Sequence, residues 1–271
     1  MEMKYLFQII KAEILKQHRN KFNSITSYFS LLVWPIILFF NTYYSYMPFN
    51  LSQSGWKEFD SRSSIFLFLI IGLLGYLCFW ALVQSAWEMS NERQNGTLEI
   101  IFLTPVNRLA LIYGRALGAL FESIWAFCIF SIIIVVYGSG IPTKNLIYVP
   151  ITFVILIISA TVWGGLMNVI FLFSRDASII FNIFDEPMSL FSGVRIPSSS
   201  FPMWAKIISA FFPLTHALVI VRSLLIHGTL IYSLGELVAL LLSLAILIIF
   251  TIILLKKAEN NARKTSNFTF Y

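Results

Sequence analysis

Charge is scarce in this sequence: Asp, Glu, Lys and Arg together make up 12% of its 271 residues, about half the share usual in water-soluble domains. That shortage excludes an ordinary soluble globular domain. Cysteine is nearly absent, and both residues, Cys78 and Cys128, fall inside apolar stretches. Without metal-ligand spacing they exclude a disulfide framework and a zinc site. No G-x-x-x-x-G-K-[ST] run occurs, so the chain carries no phosphate-binding loop of its own. Internal repeats and low-complexity segments are also missing. The first 24 residues hold five Lys or Arg, two Glu and no sustained apolar core, unlike a cleavable signal peptide, and the N-terminus is expected to be retained.

What the sequence has instead is apolar length. Apolar residues make up 58% of the chain and its mean hydropathy is +0.81. Crossing a hydrocarbon core of about 30 Å takes roughly 20 residues of helix. The expected fold is an all-α integral membrane domain with six spans at residues 25–46, 64–87, 109–137, 146–173, 177–193 and 234–255. Tyr43, Tyr44 and Tyr46 close the first span with the aromatic cluster of a headgroup layer. Gly138, Gly140 and Pro142 end the third, and Arg175 with Asp176 forms a tight turn after the fourth.

Three segments are not simple spans. Residues 1–24 place Leu6, Ile9, Ile10 and Ile14 near helical spacing with Lys4, Lys11, Glu13 and Lys16 between them, the pattern of a helix lying in the interface. Residues 177–193 would rise only about 25 Å. Residues 194–233 carry Pro197, Pro202 and Pro213 among short apolar runs, which predicts re-entrant helices before the last span.

The net charge of +6 and pI near 9.3 come from basic residues beside the spans. Anionic lipid headgroups, not nucleic acid, are the partner that fits. With the N-terminus inside, 13 Lys and Arg fall on the cytoplasmic side and 6 on the other. The positive-inside rule then puts both termini in the cytoplasm of a multi-pass plasma-membrane protein.

The segment 88–108 is polar at first and then amphipathic. Asn95, Gly96 and Thr97 supply a turn and a helix cap, Glu99 sits in the first helical turn, and Pro105 stops the helix. Leu98, Ile101 and Phe102 share one face. A short helix hinged between long spans can pass a push from a soluble partner into the membrane.

The run Glu92-Arg93-Gln94-Asn95-Gly96-Thr97-Leu98-Glu99, followed by Thr104-Pro105-Val106, resembles the cytoplasmic loop of ABC-2 type transporter permeases. Ser192-Gly193, Pro197, Phe201-Pro202-Met203-Trp204 and Phe212-Pro213-Leu214-Thr215-His216-Ala217, then Arg222, are similar to the same family's segment before its last span. The resemblance implies a dimer of permeases, or a pairing with a homologue. It also implies a cytoplasmic coupling helix and a separate ABC ATPase subunit that binds ATP and Mg²⁺. Glu92, Arg93, Gly96, Thr97, Leu98 and Glu99 then become candidates for the ATPase contact, with Pro105 and Arg108 closing the segment. They are contact residues, not catalysts.

Asp185 and Glu186 stand where that family is usually apolar. About 13 Å into the fifth span, each costs around 2.5 to 3.5 kcal/mol on insertion scales. Two readings stay open: they line a substrate path, or they make a structural hydrogen bond between helices. Arg115 and Glu122, seven apart in the third span, read as structural. His216 and His227 are too isolated for a metal site. The expected function is export of an amphipathic small molecule, driven by ATP hydrolysed on the partner. The alternatives are export of a lipid-linked polysaccharide or teichoic-acid-type precursor, and an intramembrane enzyme using Asp185, Glu186 and His216.

Overall fold

The computed structural model describes residues 2–21, 24–48, 61–97, 100–101, 104, 106–137, 142–172 and 177–265. Leu98, Glu99, Phe102, Pro105 and the turn at 175–176 lie outside the described residues, as does the side chain of Arg93.

Every regular element among the described residues is helical. In chain order they are α1 (Glu2–Lys21), α2 (Ile25–Tyr46), α3 (Arg62–Gln94), α4 (Arg108–Gly118), α5 (Leu120–Tyr137), α6 (Val149–Leu172), α7 (Ala177–Phe191), α8 (Met203–Phe211), α9 (Pro213–Arg222) and α10 (Leu234–Thr265). Among the described residues, five stretches are long and apolar enough to cross a membrane: Ile25–Tyr46, Arg62–Glu92, Arg108–Ile133, Thr143–Leu172 and Leu234–Ala258. A bent pair, Met203–Phe211 with Pro213–His227, raises the number to six if it is one crossing.

The fifth apolar segment departs from a simple span. Its helix α7 has only 15 residues, about 22 Å of rise and short of the hydrocarbon thickness. It nevertheless follows α3 in antiparallel fashion. Phe181 meets the ring of Trp87, Asp185 meets Tyr76, and Val194 lies against Gly72, where a methyl group would sit 2.1 Å from the Val194 carbonyl. Only glycine admits that backbone, so the chain beyond α7 is pressed onto α3.

α3 is the axis of the bundle. Its apolar side chains from Leu67 to Val83 are almost all buried, and it packs along α6, α5 and α9. Lipid gives helices no hydrophobic drive to associate, so close fit and hydrogen bonds hold them together. Asn168 of α6, fully buried, donates to Ser85 of α3 at 3.2 Å and to the Gly164 carbonyl at 2.8 Å. By contrast, α2 and α10 turn Phe29, Trp34, Ile37, Leu241, Leu242, Ile246 and Ile249 outward, as helices solvated by lipid do.

Helix and apolar boundaries differ in three places. α3 begins two residues before the apolar stretch and continues to Gln94, so Glu92 sits on a helix and not in a loop. The third apolar stretch breaks at Ala119, whose ψ is 1°. α10 runs on to Thr265, well past the end of the apolar stretch at Leu255. One end of the bundle holds α1, the end of α3, the start of α4 and the end of α10. There Met89, Ile112, Val169, Leu172, Leu255 and Ala258 form a small apolar cluster. The opposite, far end holds residues 193–233.

Candidate functional site

Two constellations stand out, one at each end of the bundle. At the α1 end, Glu92 on the last turns of α3 receives Lys16 of α1 and lies 2.6 Å from Arg115 Nη2 of α4. Arg115 is fully buried. Its Nε stands 3.7 Å from Glu13 Oε2, its Nη1 contacts Met89 Sδ at 2.8 Å, and its carbonyl accepts from Gln17 at 2.8 Å. Two acids and two bases therefore knot three helices that lie far apart in sequence. A guanidinium taken fully out of water is held only where charged partners replace its hydration.

This junction ties α1 to the bundle. The apolar spacing puts Glu13 among the solvated residues, yet Glu13 and Gln17 are buried against α4 while Phe7 is 67% exposed. The helix docks on α4 along a stripe that holds Ile10, Glu13 and Gln17, with Ile10 and Glu13 against Gly114 and Glu13 and Gln17 at Arg115.

The segment after α3 is pinned at both ends. Asn95 donates its N–H to the Asn91 carbonyl at 2.9 Å, and Gly96 turns the chain with φ +71°, a conformation other residues rarely take. The Thr97 hydroxyl reaches back to the Glu92 carbonyl at 3.0 Å. Arg108 Nη1 gathers the carbonyls of Ile101, Thr104 and Val106 at 3.3, 2.9 and 3.1 Å. Asn107 then caps α4, its side chain accepting from the Ala110 N–H. Between these anchors Gln94, Asn95 and Ile100 are exposed. The Glu92 carboxylate, in contrast, faces inward.

At mid-depth Asp185 is 3% exposed and accepts from Tyr76 Oη at 2.8 Å. The structural reading of Asp185 thus has its hydrogen bond between helices. Glu186 points the other way, exposed on α7 in one stripe with Ile179, Ile183 and Leu190.

At the far end, α8 and α9 meet at a 94° bend. Pro213 has no N–H and cannot continue α8, which leaves the last carbonyls of that helix to find other donors. Phe212 N–H and the Thr215 hydroxyl take the Ser209 carbonyl at 3.1 and 2.7 Å, and His216 Nε2 lies 3.2 Å from the Ala210 carbonyl. The Phe-Pro-Leu-Thr-His run is thus a bend together with its own caps. Pro197 opens a 3-10 turn, and Pro202 precedes α8, its carbonyl accepting from Ala205. Arg222 stacks over the Phe68 ring at 3.5 Å and donates to the carbonyls of Gly193 and Phe68 at 2.8 and 3.1 Å. It fastens α9, the chain after α7 and the start of α3 together.

His216 also meets Glu236 of α10 at 2.6 Å, while Asp185 is bonded to Tyr76. The acid and base that an intramembrane enzyme would need to share thus have separate partners. Among the described residues no cluster of three metal-ligating side chains occurs. The sequence pattern reads Arg115 as structural, in company with Glu122, and sets Glu13 and Lys16 between the apolar positions of α1, but nothing in it pairs these residues or singles out Gln17.

Comparison with known proteins places this architecture. Residues 4–226 match the ABC-2 type transporter family. A protein of Cyanophora paradoxa named as a transport permease, ycf38, is 25% identical over 233 residues, covering 84% of this chain and 76% of its own length.

Proposed function

Because the chain belongs to the ABC-2 type transporter family, we propose that its role as a transport permease is that of the membrane half of an ATP-driven exporter in the plasma membrane. ATP and Mg²⁺ bind to a separate ABC ATPase subunit, and a second permease copy or homologue completes the pathway. The excess of Lys and Arg at the α1 end supports a cytoplasmic placement of that end and of both termini.

The observation that carries this reading is the ion-pair junction of Glu92 and Arg115 with Glu13 and Lys16. The pinned segment from Asn95 to Asn107 reaches out from that junction, and a push on it loads α3 and α4 at once through the pair that joins them. Since the Glu92 carboxylate is used inside, the contact with the ATPase falls to the exposed Gln94, Asn95 and Ile100, with Leu98 and Glu99 between them in sequence. Glu92 acts as the hinge pin.

Glu186 supports the placement of the pathway. An ionised carboxylate on the outer face of an apolar helix is costly in lipid, so α7 turns that face toward the second copy or a water-filled path. Asp185, held by Tyr76, positions the helix. A path bearing a carboxylate between apolar side chains suits an amphipathic, cationic or hydroxylated small molecule. A lipid-linked polysaccharide precursor is the alternative cargo, separated by which compound stimulates ATP hydrolysis in the reconstituted complex.

Affinity purification from native membranes tests the reading. An ATPase is expected to accompany the wild-type chain and to be lost on Ile100→Asp, while Glu92→Gln keeps the association. If no nucleotide-hydrolysing subunit accompanies the wild-type chain, the proposed role fails.

A further inference from the structure

The far end contains a cavity of about 770 Å³ between the first turns of α3, the 197–199 turn, α8, α9 and the start of α10. Its size is that of a small-molecule site, and the transport reading above makes no use of it. We propose that it binds the headgroup of a membrane phospholipid whose phosphodiester carries a polyol, such as glycerol.

The charge of the walls argues for an anion. Lys206 and Arg222 both line the cavity. Glu236 lines it too, but in company with His216, whose Nδ1 is 2.6 Å from Glu236 Oε2 and whose Nε2 is 3.2 Å from the Ala210 carbonyl. Among the described lining residues two cations, Lys206 and Arg222, stand against the single carboxylate of Glu236, so the lining is cationic without any charge on His216 or His227. Arg222 is held in place by backbone carbonyls and by the Phe68 ring, so its charge is fixed in the wall.

The remaining polar lining argues for hydroxyl groups on the ligand. Ser63, Ser64, Ser198 and Ser199 ring the same space, and a hydroxyl both donates and accepts, as a polyol requires. Lipid origin follows from α8, which has two faces. Lys206, Ser209 and Ala210 line the cavity, whereas Met203, Trp204, Ile207 and Phe211 are 75, 60, 66 and 52% exposed on the other side. A headgroup inside the cavity leaves its acyl chains against that apolar face.

The full chain, purified in maltoside and stripped of lipid, is incubated with mixed micelles, and bound lipid is read by native mass spectrometry. Phosphatidylglycerol should be retained about fivefold over phosphatidylcholine, and Lys206→Gln, a change on an exposed side chain, should remove most of that preference. Lys256→Gln with Lys257→Gln at the other end should leave it intact. Phosphatidylethanol, an anion without headgroup hydroxyls, should bind more weakly than phosphatidylglycerol, and Ser64→Ala with Ser199→Ala should erase that difference. Equal retention of choline and glycerol lipids, or retention indifferent to Lys206→Gln, would overturn the site. Competition by soluble glycerol 1-phosphate at the lipid's own concentration would overturn its assignment to a lipid.

Discussion

The two arginines that tie the ends of this bundle, Arg115 and Arg222, are held by opposite means. Arg115 at the α1 end faces side-chain carboxylates from two other helices, while Arg222 at the far end is held by backbone carbonyls and an aromatic ring. A carboxylate on a long side chain joins two helices that remain separate bodies, so the link can be loaded, loosened and remade. Carbonyls bonded to an arginine fix an irregular backbone in one shape. The first arrangement suits a joint and the second suits a frame. The positions agree with that division: the joint sits at the pinned segment after α3, and the frame encloses the far-end cavity.

The contrast is broken most severely at Arg115. Arg115→Met leaves Glu92 and Glu13 buried beside each other without their common cation, and a loss of about 3 to 5 kcal/mol is expected in thermal unfolding in detergent. Adding Glu92→Gln should restore part of it, because the two effects are coupled. Arg222→Lys comes next. A lysine keeps the charge but lacks the planar fork that reaches several carbonyls while stacking on Phe68, and about 2 kcal/mol should be lost. Tyr76→Phe removes the donor to Asp185 and should cost about 1 kcal/mol, the scale of one hydrogen bond between membrane helices. Thr215→Val, which removes one of two donors to the Ser209 carbonyl, should cost least, about 0.5 kcal/mol. If Arg222→Lys proves more damaging than Arg115→Met, the distinction between joint and frame is wrong.

How far the sequence could foresee this follows from what each feature depends on. Among the described residues, apolar length identifies the five helical stretches long enough to cross a membrane, because bilayer thickness sets their length regardless of neighbours. Pro197, Pro202 and Pro213 marked the broken segment, because a missing N–H is a local property. The junction was not legible. Lys16 and Glu92 lie 76 residues apart and Gln17 and Arg115 lie 98 apart, and no local pattern pairs them. On α1, Ile10, Glu13 and Gln17 share the stripe that meets α4, and burial of its two polar residues is decided by Arg115 on another helix. Asp185 was visible as an anomaly, but its partner Tyr76 looked like one aromatic residue among many. The end of α3 was misjudged because hydropathy stops at the membrane surface while the helix does not.

The claim on which the account turns is that Glu92 and Arg115 pass the state of an ATPase into the bundle. Spin labels on Thr104→Cys and Met203→Cys, with Cys78 and Cys128 replaced, report the distance between the pinned segment and α8 in the complex with its ATPase. Trapping with ATP and vanadate should shift that distance in the wild-type background and leave it unmoved with Glu92→Gln, although ATP hydrolysis persists. An equal shift in both backgrounds would contradict the account.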